Sequence, residues 1–442
     1  MPIPNVSVIG AGPAGLTAAY FLTKSSLRPL VYEGSKEIGG LAGSFNFRGR
    51  SFDIGPHIFL ESSQPEAVTF WKEIGGNDLQ QLVLSRGMIL EKRLVSYPPT
   101  PGGLLRAIGI FPFCMAAASA IKAKFFVGVK VKSAGDFFSN YYGNYFRKLV
   151  FNPFCEKYMG IPDVNVDVNF ATGLTSFVKE AGKTDVQPEK KKLKTLLYPR
   201  GGTKMMWMRI ADKVCEKGEI HFEKKLTKIV TKGKRIEHIC FSDGTTSDTD
   251  FVVSTLPVKV FFDLLDTYPN EIREEIQNLT SRNTLLIYLS IDARAFSYQY
   301  VTVFDHSLEA GRITNFNSWK KNDATDKDTV LCIEYWCDAK DEIWGFANEE
   351  ILEKAVKELT DAGIINKNKV TGFEILRLPN SHPVLSTGYM TSLTRINNYL
   401  AQFENLAFAG RHATFKWDGQ ADNIIGGMRL AEKIAEHFRQ KA

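Results

Sequence analysis

The sequence of 442 residues predicts an α/β fold organised around a parallel sheet. Residues 6–22, VSVIGAGPAGLTAAYFL, combine an apolar strand, a glycine-rich turn and apolar positions at helical spacing. A second apolar strand, RPLVYE, follows at once, and residues 404–438 again read as strand, glycine turn, loop and helix. Strands that alternate with helices favour parallel pairing, because a parallel crossover needs a helix.

The first turn matches the G-x-G-x-x-G pattern at Gly10, Gly12 and Gly15. Gly10 suits a tight turn, Gly12 lets a phosphate approach the backbone, and Gly15 lets the helix pack on the strand. Glu33 ends the second strand, where a carboxylate accepts hydrogen bonds from a ribose 2′-hydroxyl and repels a 2′-phosphate. These coincident features predict a dinucleotide site that disfavours NADP, rather than a glycine turn without a ligand.

The pattern changes several times between these two ends. Residues 45–59 predict two short strands around a turn, and residues 96–177 are mainly helical. Residues 219–257 predict an antiparallel meander, with turns at Gly233 and Gly244, that ends in a buried strand. Further strands are predicted at 284–292 and 329–337, an amphipathic helix at 348–363, and a last helix from about Asn423.

Composition is that of an ordinary globular protein, with 44% hydrophobic and 24% charged residues and a net charge of +6. No alternation of basic and aromatic residues points to nucleic acid. The six cysteines and seven histidines lack metal-ligand spacing, so we expect reduced, mostly buried thiols and no metal site. The absence of a secretory pattern predicts a cytoplasmic protein, and the basic run at 189–194 predicts a solvated loop.

One uncharged apolar segment, residues 109–121, needs an explanation of its own. Its 13 residues are too few to span a bilayer, which takes roughly 20. We expect a buried helix, and two alternatives stay open. The segment could cap a substrate channel, or it could form a peripheral contact with a membrane.

The order of these motifs resembles the flavin amine oxidase and protoporphyrinogen oxidase superfamily. The resemblance rests on the glycine turn, the GG pair in EIGGLAG, the meander that ends in VVSTLP, and the closing NLAFAGR and ADNIIGGMRLAEKI. It covers nearly the whole chain and is strongest for bacterial protoporphyrinogen-oxidase-like flavoproteins. The stretch GPHIF, residues 55–59, also resembles UDP-galactopyranose mutase.

The resemblance implies FAD as the cofactor and a discontinuous, Rossmann-like FAD-binding domain. The segments expected to form that domain are 1–95, 196–260 and 386–442. A helical insertion or substrate cap is expected at 96–195, and a mixed-sheet substrate domain at 261–385.

Carried over position by position, the resemblance also implies which residues contact FAD. The glycine turn would cradle the pyrophosphate, Glu33 the ribose, and the backbone of Leu226 the adenine. The start of the last helix would direct N–H groups at the pyrimidine end of the flavin, where a helix N-terminus stabilises negative charge. The full set is Gly10, Ala11, Gly12, Pro13, Ala14, Gly15, Glu33, Gly34, Gly40, Leu41, Ala42, Gly55, Pro56, His57, Leu226, Thr255, Gly410, Arg411, Asn423 and Ile424.

Three of the expected site residues are catalytic candidates: His57, Arg411 and Trp417. By itself His57 would be interpreted as a core histidine, but the resemblance places it beside the flavin, as a proton relay or hydrogen-bond partner. Arg411 suits a phosphate or an ion pair equally well, and Trp417 would stack over the flavin or fill the core. Two positions depart from the pattern: Leu41 replaces an arginine common in amine oxidases, and Asn423 replaces an expected histidine.

The resemblance therefore implies an FAD-dependent oxidoreductase that takes a hydride from an organic substrate onto flavin N5. The alternative is a non-redox, flavin-dependent mutase that interconverts pyranose and furanose forms of a nucleotide sugar. The arginine and tyrosine pairs of that mutase family are not evident, and Tyr389 and Arg395 are candidates only. A third interpretation is a binding or assembly protein with FAD as a structural element. In the first two interpretations the substrate is a small molecule, either a nucleotide sugar or an apolar compound.

Overall fold

The computed structural model describes residues 3–125, 130–174, 194–320 and 328–441. Most of the basic run predicted as a loop at 189–194 lies outside these ranges. The chain divides into two compact units, each assembled from separate segments. Unit 1 consists of Met1–Gln81, Leu196–Thr280 and Met390–Ala442, and unit 2 consists of Leu82–Thr195 and Ser281–Tyr389.

The strands are numbered in chain order. They are β1 Asn5–Ile9, β2 Arg28–Tyr32, β3 Ser44–Phe47, β4 Arg50–Asp53, β5 Leu79–Val83, β6 Arg86–Leu90, β7 Arg93–Ser96, β8 Thr195–Pro199, β9 Glu219–His221, β10 Leu226–Lys232, β11 Arg235–Phe241, β12 Thr246–Asp248, β13 Phe251–Ser254, β14 Ser281–Ile291, β15 Tyr300–Val303, β16 Arg312–Asn315, β17 Thr329–Cys337, β18 Val370–Pro383 and β19 Leu406–Phe408.

The α-helices whose two ends are both described are identified by their ranges. They are Pro13–Lys24, Pro65–Gly75, Pro101–Ile108, Ile110–Phe125, Ala134–Tyr142, Asn144–Phe146, Asn152–Met159, Thr203–Cys215, Val258–Asp263, Asn270–Gln277, Glu342–Gly345, Asn348–Asp361, Tyr389–Leu400 and Gln420–Lys441. Three of them are named the first helix (Pro13–Lys24), the apolar helix (Ile110–Phe125) and the last helix (Gln420–Lys441).

Unit 1 is built on a five-stranded sheet in the order β19-β13-β1-β2-β9, in which every neighbouring pair is parallel. The predicted α/β fold is therefore confirmed. The meander β10-β11-β12 is antiparallel, and its two turns place Gly233 and Gly244 at φ of +60° and +81°. The predicted hairpin before residue 59 is also present, with β3 paired to β4.

Two helices of unit 1 pack unusually close to each other. A Cβ atom on Gly427 of the last helix would come within 2.8 Å of the Ala14 carbonyl oxygen in the first helix. Gly427 is therefore required by the contact, whereas the neighbouring Gly426 faces open space. The first and last helices belong to one apolar core together with buried residues of β1 and β13.

Unit 2 contains a seven-stranded mixed sheet in the order β18-β14-β17-β16-β15-β6-β7, with β15 parallel to β6. The predicted strands at 284–292 and 329–337 pair as the long central strands β14 and β17. The predicted amphipathic helix is Asn348–Asp361, and its buried residues Ile351, Ala355 and Leu359 join the apolar core of this sheet.

Three expectations need correction. The segment 109–121 is helical but not buried, since Ala116 is the single buried residue of the helix Ile110–Phe125. Small residues form the face that packs, so the large side chains cannot turn inward. The last helix begins at Gln420, three residues before the predicted Asn423. The cysteines are all free, but Cys114 and Cys215 are exposed and half of the six are buried.

Candidate active site

The carboxyl edge of the unit 1 sheet collects several of the predicted site residues. Gly10 follows β1, Glu33 follows β2, Thr255 follows β13, and Gly410 lies two residues beyond β19. All these strands are parallel, so their carboxyl ends share one edge. The first and last helices begin beside the Gly10 and Gly410 turns, which is the arrangement in which open α/β sheets bind nucleotides.

The three glycines of the first turn play different steric roles. Gly10 has φ of +100°, and a Cβ atom there would lie 2.3 Å from Thr255 Oγ1. A Cβ atom on Gly15 would lie 2.0 Å from the Gly10 carbonyl oxygen. Gly12 differs from both, because its extended backbone suits any residue and no protein atom lies within 4 Å of a Cβ built there. The protein therefore leaves open the space into which a side chain at Gly12 would project.

Glu33 lies against the same turn. Its Oε2 atom accepts a hydrogen bond from the Ala11 N–H at 2.9 Å, and its Oε1 atom accepts one from the Ser35 N–H at 2.9 Å. The Glu33 N–H donates to the His221 carbonyl oxygen of β9. These bonds fix the carboxylate beside the turn and leave further lone pairs to accept from a ribose hydroxyl.

The predicted second glycine loop also reaches the first turn. The Gly39 N–H donates to the Ala11 carbonyl oxygen at 2.9 Å, and a Cβ atom on Gly40 would lie 3.5 Å from Gly12 Cα. Gly40, Leu41 and Ala42 form a short 3₁₀ turn, with the Ala42 carbonyl oxygen bound to the Thr203 hydroxyl. The structure thus brings the residues around Gly12 and Gly40 together, as predicted.

The loop that carries His57 is fixed at both ends. Asp53, fully buried at the end of β4, accepts hydrogen bonds from the Ser44 hydroxyl, the Thr203 N–H and the Tyr198 hydroxyl at 2.7–2.8 Å. Burial and the Asp53 charge raise the pKa of Tyr198 well above its usual range, so this phenol remains a donor. At the other end the Phe59 carbonyl oxygen accepts from the Leu197 N–H.

This anchoring determines how the candidate residues in the loop are presented. Gly55 has φ of +75°, which allows the chain to turn after the buried Asp53. Pro56 and His57 follow as half-buried residues between the two fixed ends. The anchor residue Asp53 was not predicted. An acid between apolar neighbours in SFDIGP was the available signal, because a carboxylate inside an apolar stretch needs dedicated partners.

The Gly410 turn is joined to the start of the last helix by one side chain. Asn423 Oδ1 accepts from the Arg411 N–H at 3.1 Å, and Asn423 Nδ2 donates to the Gly419 carbonyl oxygen at 2.6 Å. The Arg411 Nε–H donates to the Asp418 carbonyl oxygen at 2.7 Å. Burial, and then the neighbouring Asp422 charge, raise the pKa of the Asp418 carboxyl.

The residue at which the last helix begins determines which backbone N–H groups can face a ligand. The Asn423 N–H donates to the Gly419 carbonyl oxygen, so it is already used within the chain. The N–H groups of the first turn that lack partners within the helix belong to Gln420, Ala421 and Asp422. Ile424 has a fully buried side chain in the unit 1 core.

Gln420 is the second residue that the sequence prediction missed. Its side chain is 7% exposed, and neither its Oε1 nor its Nε2 atom has a hydrogen-bond partner among the described residues. A buried amide left without partners costs free energy unless a bound group completes it. The sequence pattern did not show that Gln420 begins the last helix, because that helix was expected to begin at about Asn423.

The remaining candidates are placed as follows. Leu226 begins β10, opposite Phe241, whose ring lies 4.6 Å from that of Tyr32 at the end of β2. A Cβ atom on Gly34 would be in ordinary contact with Lys225, and Trp417 is half-buried in the loop before the last helix. Pro13, Ala14 and Gly15 form the first turn of the first helix, and Pro13 has no N–H to leave unpaired.

These observations test whether the residues fit a dinucleotide. The open space at Gly12 lies at the N-terminus of the first helix, where a pyrophosphate is favoured by backbone N–H groups and the helix dipole. The unpaired Gln420 amide lies at the N-terminus of a second helix. Both features fit FAD, because one meets its phosphates and the other supplies a donor and an acceptor for polar atoms. Among the described residues, no group of His, Cys, Asp and Glu side chains is placed to hold a metal ion.

Known proteins resemble this chain in sequence and in fold. A family model described as flavin containing amine oxidoreductase matches residues 13–434. The chain resembles the crystal structure of reduced UDP-galactopyranose mutase with a TM-score of 0.82 at 17% identity, covering 99% of this chain and 94% of that one. It resembles a putative protoporphyrinogen oxidase from Exiguobacterium sp. 255-15 with a TM-score of 0.78 at 16% identity, covering 99% of each chain.

Among curated proteins the likeness is local. The thioredoxin reductase of Streptomyces coelicolor is 36% identical over 88 residues, which is 19% of this chain and 27% of that protein. The chain thus spans about a quarter of that relative's length. Protoporphyrinogen oxidase 2 of Arabidopsis thaliana is 33% identical over 82 residues, covering 19% of this chain and 16% of that protein.

Proposed function

The chain belongs to the family of flavin-containing amine oxidoreductases, and we propose that it oxidises a small organic substrate by removing a hydride from a C–H bond. Its cofactor is FAD. The observation that carries the proposal is the open space at Gly12, between two glycines whose Cβ positions are blocked by protein. That arrangement supports a site designed around a dinucleotide.

FAD, when bound, supplies a ring system that takes up two electrons and passes them to an acceptor. The residues expected to hold its phosphates are those of the Gly10–Gly15 turn, with Glu33 on the ribose. The first-turn N–H groups of the last helix would stabilise negative charge at the pyrimidine end of the ring. The Gln420 amide, buried and without a partner among the described residues, would donate or accept a hydrogen bond there.

His57 is the proposed proton carrier. Its loop is held at Asp53 and at Phe59, so the imidazole is presented from a fixed backbone. A neutral imidazole can take a proton from one side and donate from the other, and its ordinary pKa lies near neutrality. The backbone N–H of Arg411 ties this turn to Asn423, and its Nε–H is bound to the Asp418 carbonyl oxygen.

The ion pairs of Arg395, the candidate arginine, and of Arg312 favour oxidation over sugar-diphosphate chemistry. Arg395, a candidate for binding the diphosphate, forms an ion pair with Glu275. In unit 2 the Arg312 guanidinium binds both oxygens of the buried Glu334 carboxylate. Cations that are already neutralised attract a diphosphate less strongly than free ones.

A second candidate function is the flavin-dependent nucleotide-sugar mutase. The observation in its favour is the stretch GPHIF, residues 55–59, which includes His57 and resembles the mutase sequence. In this alternative the same FAD site is used without net oxidation of the substrate.

The experiment that separates the two uses anaerobic, FAD-loaded protein. We expect a panel of amines and other reduced organic compounds to include one that bleaches the flavin absorbance. Conversion of UDP-galactofuranose to UDP-galactopyranose should be absent with dithionite-reduced protein. The opposite pattern, sugar conversion without bleaching by any substrate, would replace the oxidase by the mutase. The matched control is the G12V protein, which should neither carry flavin nor react.

A further inference from the structure

The apolar helix, Ile110–Phe125 in unit 2, turns its large side chains to solvent. Ile110, Phe111 and Phe125 are 73%, 72% and 74% exposed, and Ile121 is 59% exposed. At about 100° per residue these four positions fall on one half of the helix surface. Exposed apolar side chains in a continuous patch mark an interaction surface.

The opposite face of this helix is firmly packed through small residues. The Ser119 hydroxyl accepts a hydrogen bond from the Tyr145 N–H at 3.0 Å. A Cβ atom on Gly143 would lie 2.4 Å from the Ser119 carbonyl carbon, so the two segments are in backbone contact. Ala116, the buried residue, is also on this face. The helix therefore cannot rotate to hide its large side chains, and its amphipathic pattern is the reverse of a core helix.

The sequence around this helix is basic. Residues 92–135 contain no Asp or Glu and seven basic residues, Lys92, Arg93, Arg106, Lys122, Lys124, Lys130 and Lys132. At about 100° per residue, Lys124 and Lys122 lie toward the two sides of the exposed half of the helix. Lysines in that position extend their stems along apolar surface and keep their charges in a polar layer.

We propose that the apolar helix is a peripheral membrane-binding surface that lies in the plane of a bilayer with anionic lipid head groups. Its 16 residues reach about 24 Å, and in the described part of the chain every helix is too short or too polar to span a bilayer. An interfacial helix needs only an apolar face and a basic margin, and both are present. A second copy is the less favourable occupant, because it would bring a second Lys122 and Lys124 against the first pair.

The test is flotation of the FAD-loaded protein with vesicles of phosphatidylcholine, with and without phosphatidylglycerol. We expect binding to the anionic vesicles that weakens as salt is raised. Replacing both phenylalanines, F111S with F125S, should weaken binding at least about 100-fold. Replacing both lysines, K122S with K124S, should weaken it about 30-fold. The matched control M208S changes a 51% exposed methionine of unit 1 and should bind as the parent does.

Three outcomes would overturn the proposal. They are absence of binding to any vesicle, equal binding to neutral and anionic vesicles, and a dimer in solution that F111S with F125S dissociates. All substituted residues are exposed, so retained flavin absorbance and melting temperature confirm that each variant is folded. Membrane binding does not depend on the reaction catalysed, so this result and the test of the proposed function can fail independently.

Discussion

Unit 1 and unit 2 treat polar groups in different ways. At the edge of the unit 1 sheet the chain leaves space at Gly12 and a buried amide at Gln420 without a partner among the described residues. In unit 2 a buried carboxylate is matched by a neighbouring side chain, in the bidentate pair of Arg312 with Glu334. We infer that the open site in unit 1 receives a ligand, whereas the closed ion pair in unit 2 supports the framework.

The strongest way to break this comparison is to fill the open space in unit 1. The G12V substitution should leave the apoprotein folded and weaken FAD binding at least about 1,000-fold, because the side chain occupies the phosphate position. Flavin absorbance of the purified protein and titration with added FAD measure this effect. G426V is the matched control, since Gly426 also faces open space but lies away from the turn. Flavin retained by G12V would show that the pyrophosphate lies elsewhere.

The corresponding substitution in unit 2 removes one partner of the ion pair between Arg312 and Glu334. Glu334 is almost fully buried, and E334Q should lower the free energy of unfolding by about 3 kcal/mol, because it leaves the Arg312 cation without its partner. Chemical denaturation measures the loss. The double variant E334M with R312M should recover most of it, and D361N in the exposed Lys357–Asp361 pair should have no measurable effect. Equal losses in the single and double variants would contradict the pairing argument.

The next test concerns the catalytic role proposed for His57 in unit 1. H57A should keep FAD bound and slow turnover about 100-fold, the usual contribution of a positioned proton carrier. Measuring the rate against pH should give a different profile for the variant and for the parent. H437A, on the last helix, serves as the histidine control and should match the parent. An unchanged rate and pH profile in H57A would assign His57 to packing.

The smallest expected effect concerns a half-buried lysine of unit 2. Burial lowers the pKa of Lys157 to about 8 from its ordinary value near 10.5. Below pH 8 both the folded and unfolded states carry the charge, and folding includes the cost of burying it. Between these two values the folded state loses its proton first, so stability rises with pH.

The substitution K157M should therefore raise the free energy of unfolding at neutral pH by an amount on the order of 1 kcal/mol, and the melting temperature should rise with it. The advantage should shrink as pH rises above 8. Thermal unfolding across a pH series measures it, with K369M as a control because Lys369 is a surface lysine paired with Asp292. A difference between parent and K157M that is constant with pH would reject the assignment.

Much of unit 1 could be predicted because its features are local in sequence. A tight turn, a strand-ending acid and a glycine pair each leave a short pattern, and the structure brings Gly12, Glu33 and Gly40 together. Other features depend on contacts between distant segments. Asp53 meets Tyr198 and Thr203 from about 150 residues away, so no short pattern reveals that anchor.

The apolar helix shows a different limit of sequence-based prediction. Its composition predicted a helix, but burial depends on which face the neighbouring helices occupy. Gly143 and Ser119 determine that face by backbone contact, and hydropathy does not record it. The unpaired Gln420 was missed for a simpler reason, because the start of the last helix lies three residues earlier than the pattern suggested.

The segmented construction of unit 1 also constrains how the protein is made. Strand β13 pairs with β1 on one side and with β19 on the other, and β19 ends at Phe408. At about 5–20 residues per second, translation reaches that strand on the order of 20–80 s after β1 has been synthesised. The free edge of β13 and the face of the first helix that receives the last helix must therefore wait, uncovered, until synthesis is almost finished. Chaperones have most reason to bind during that interval.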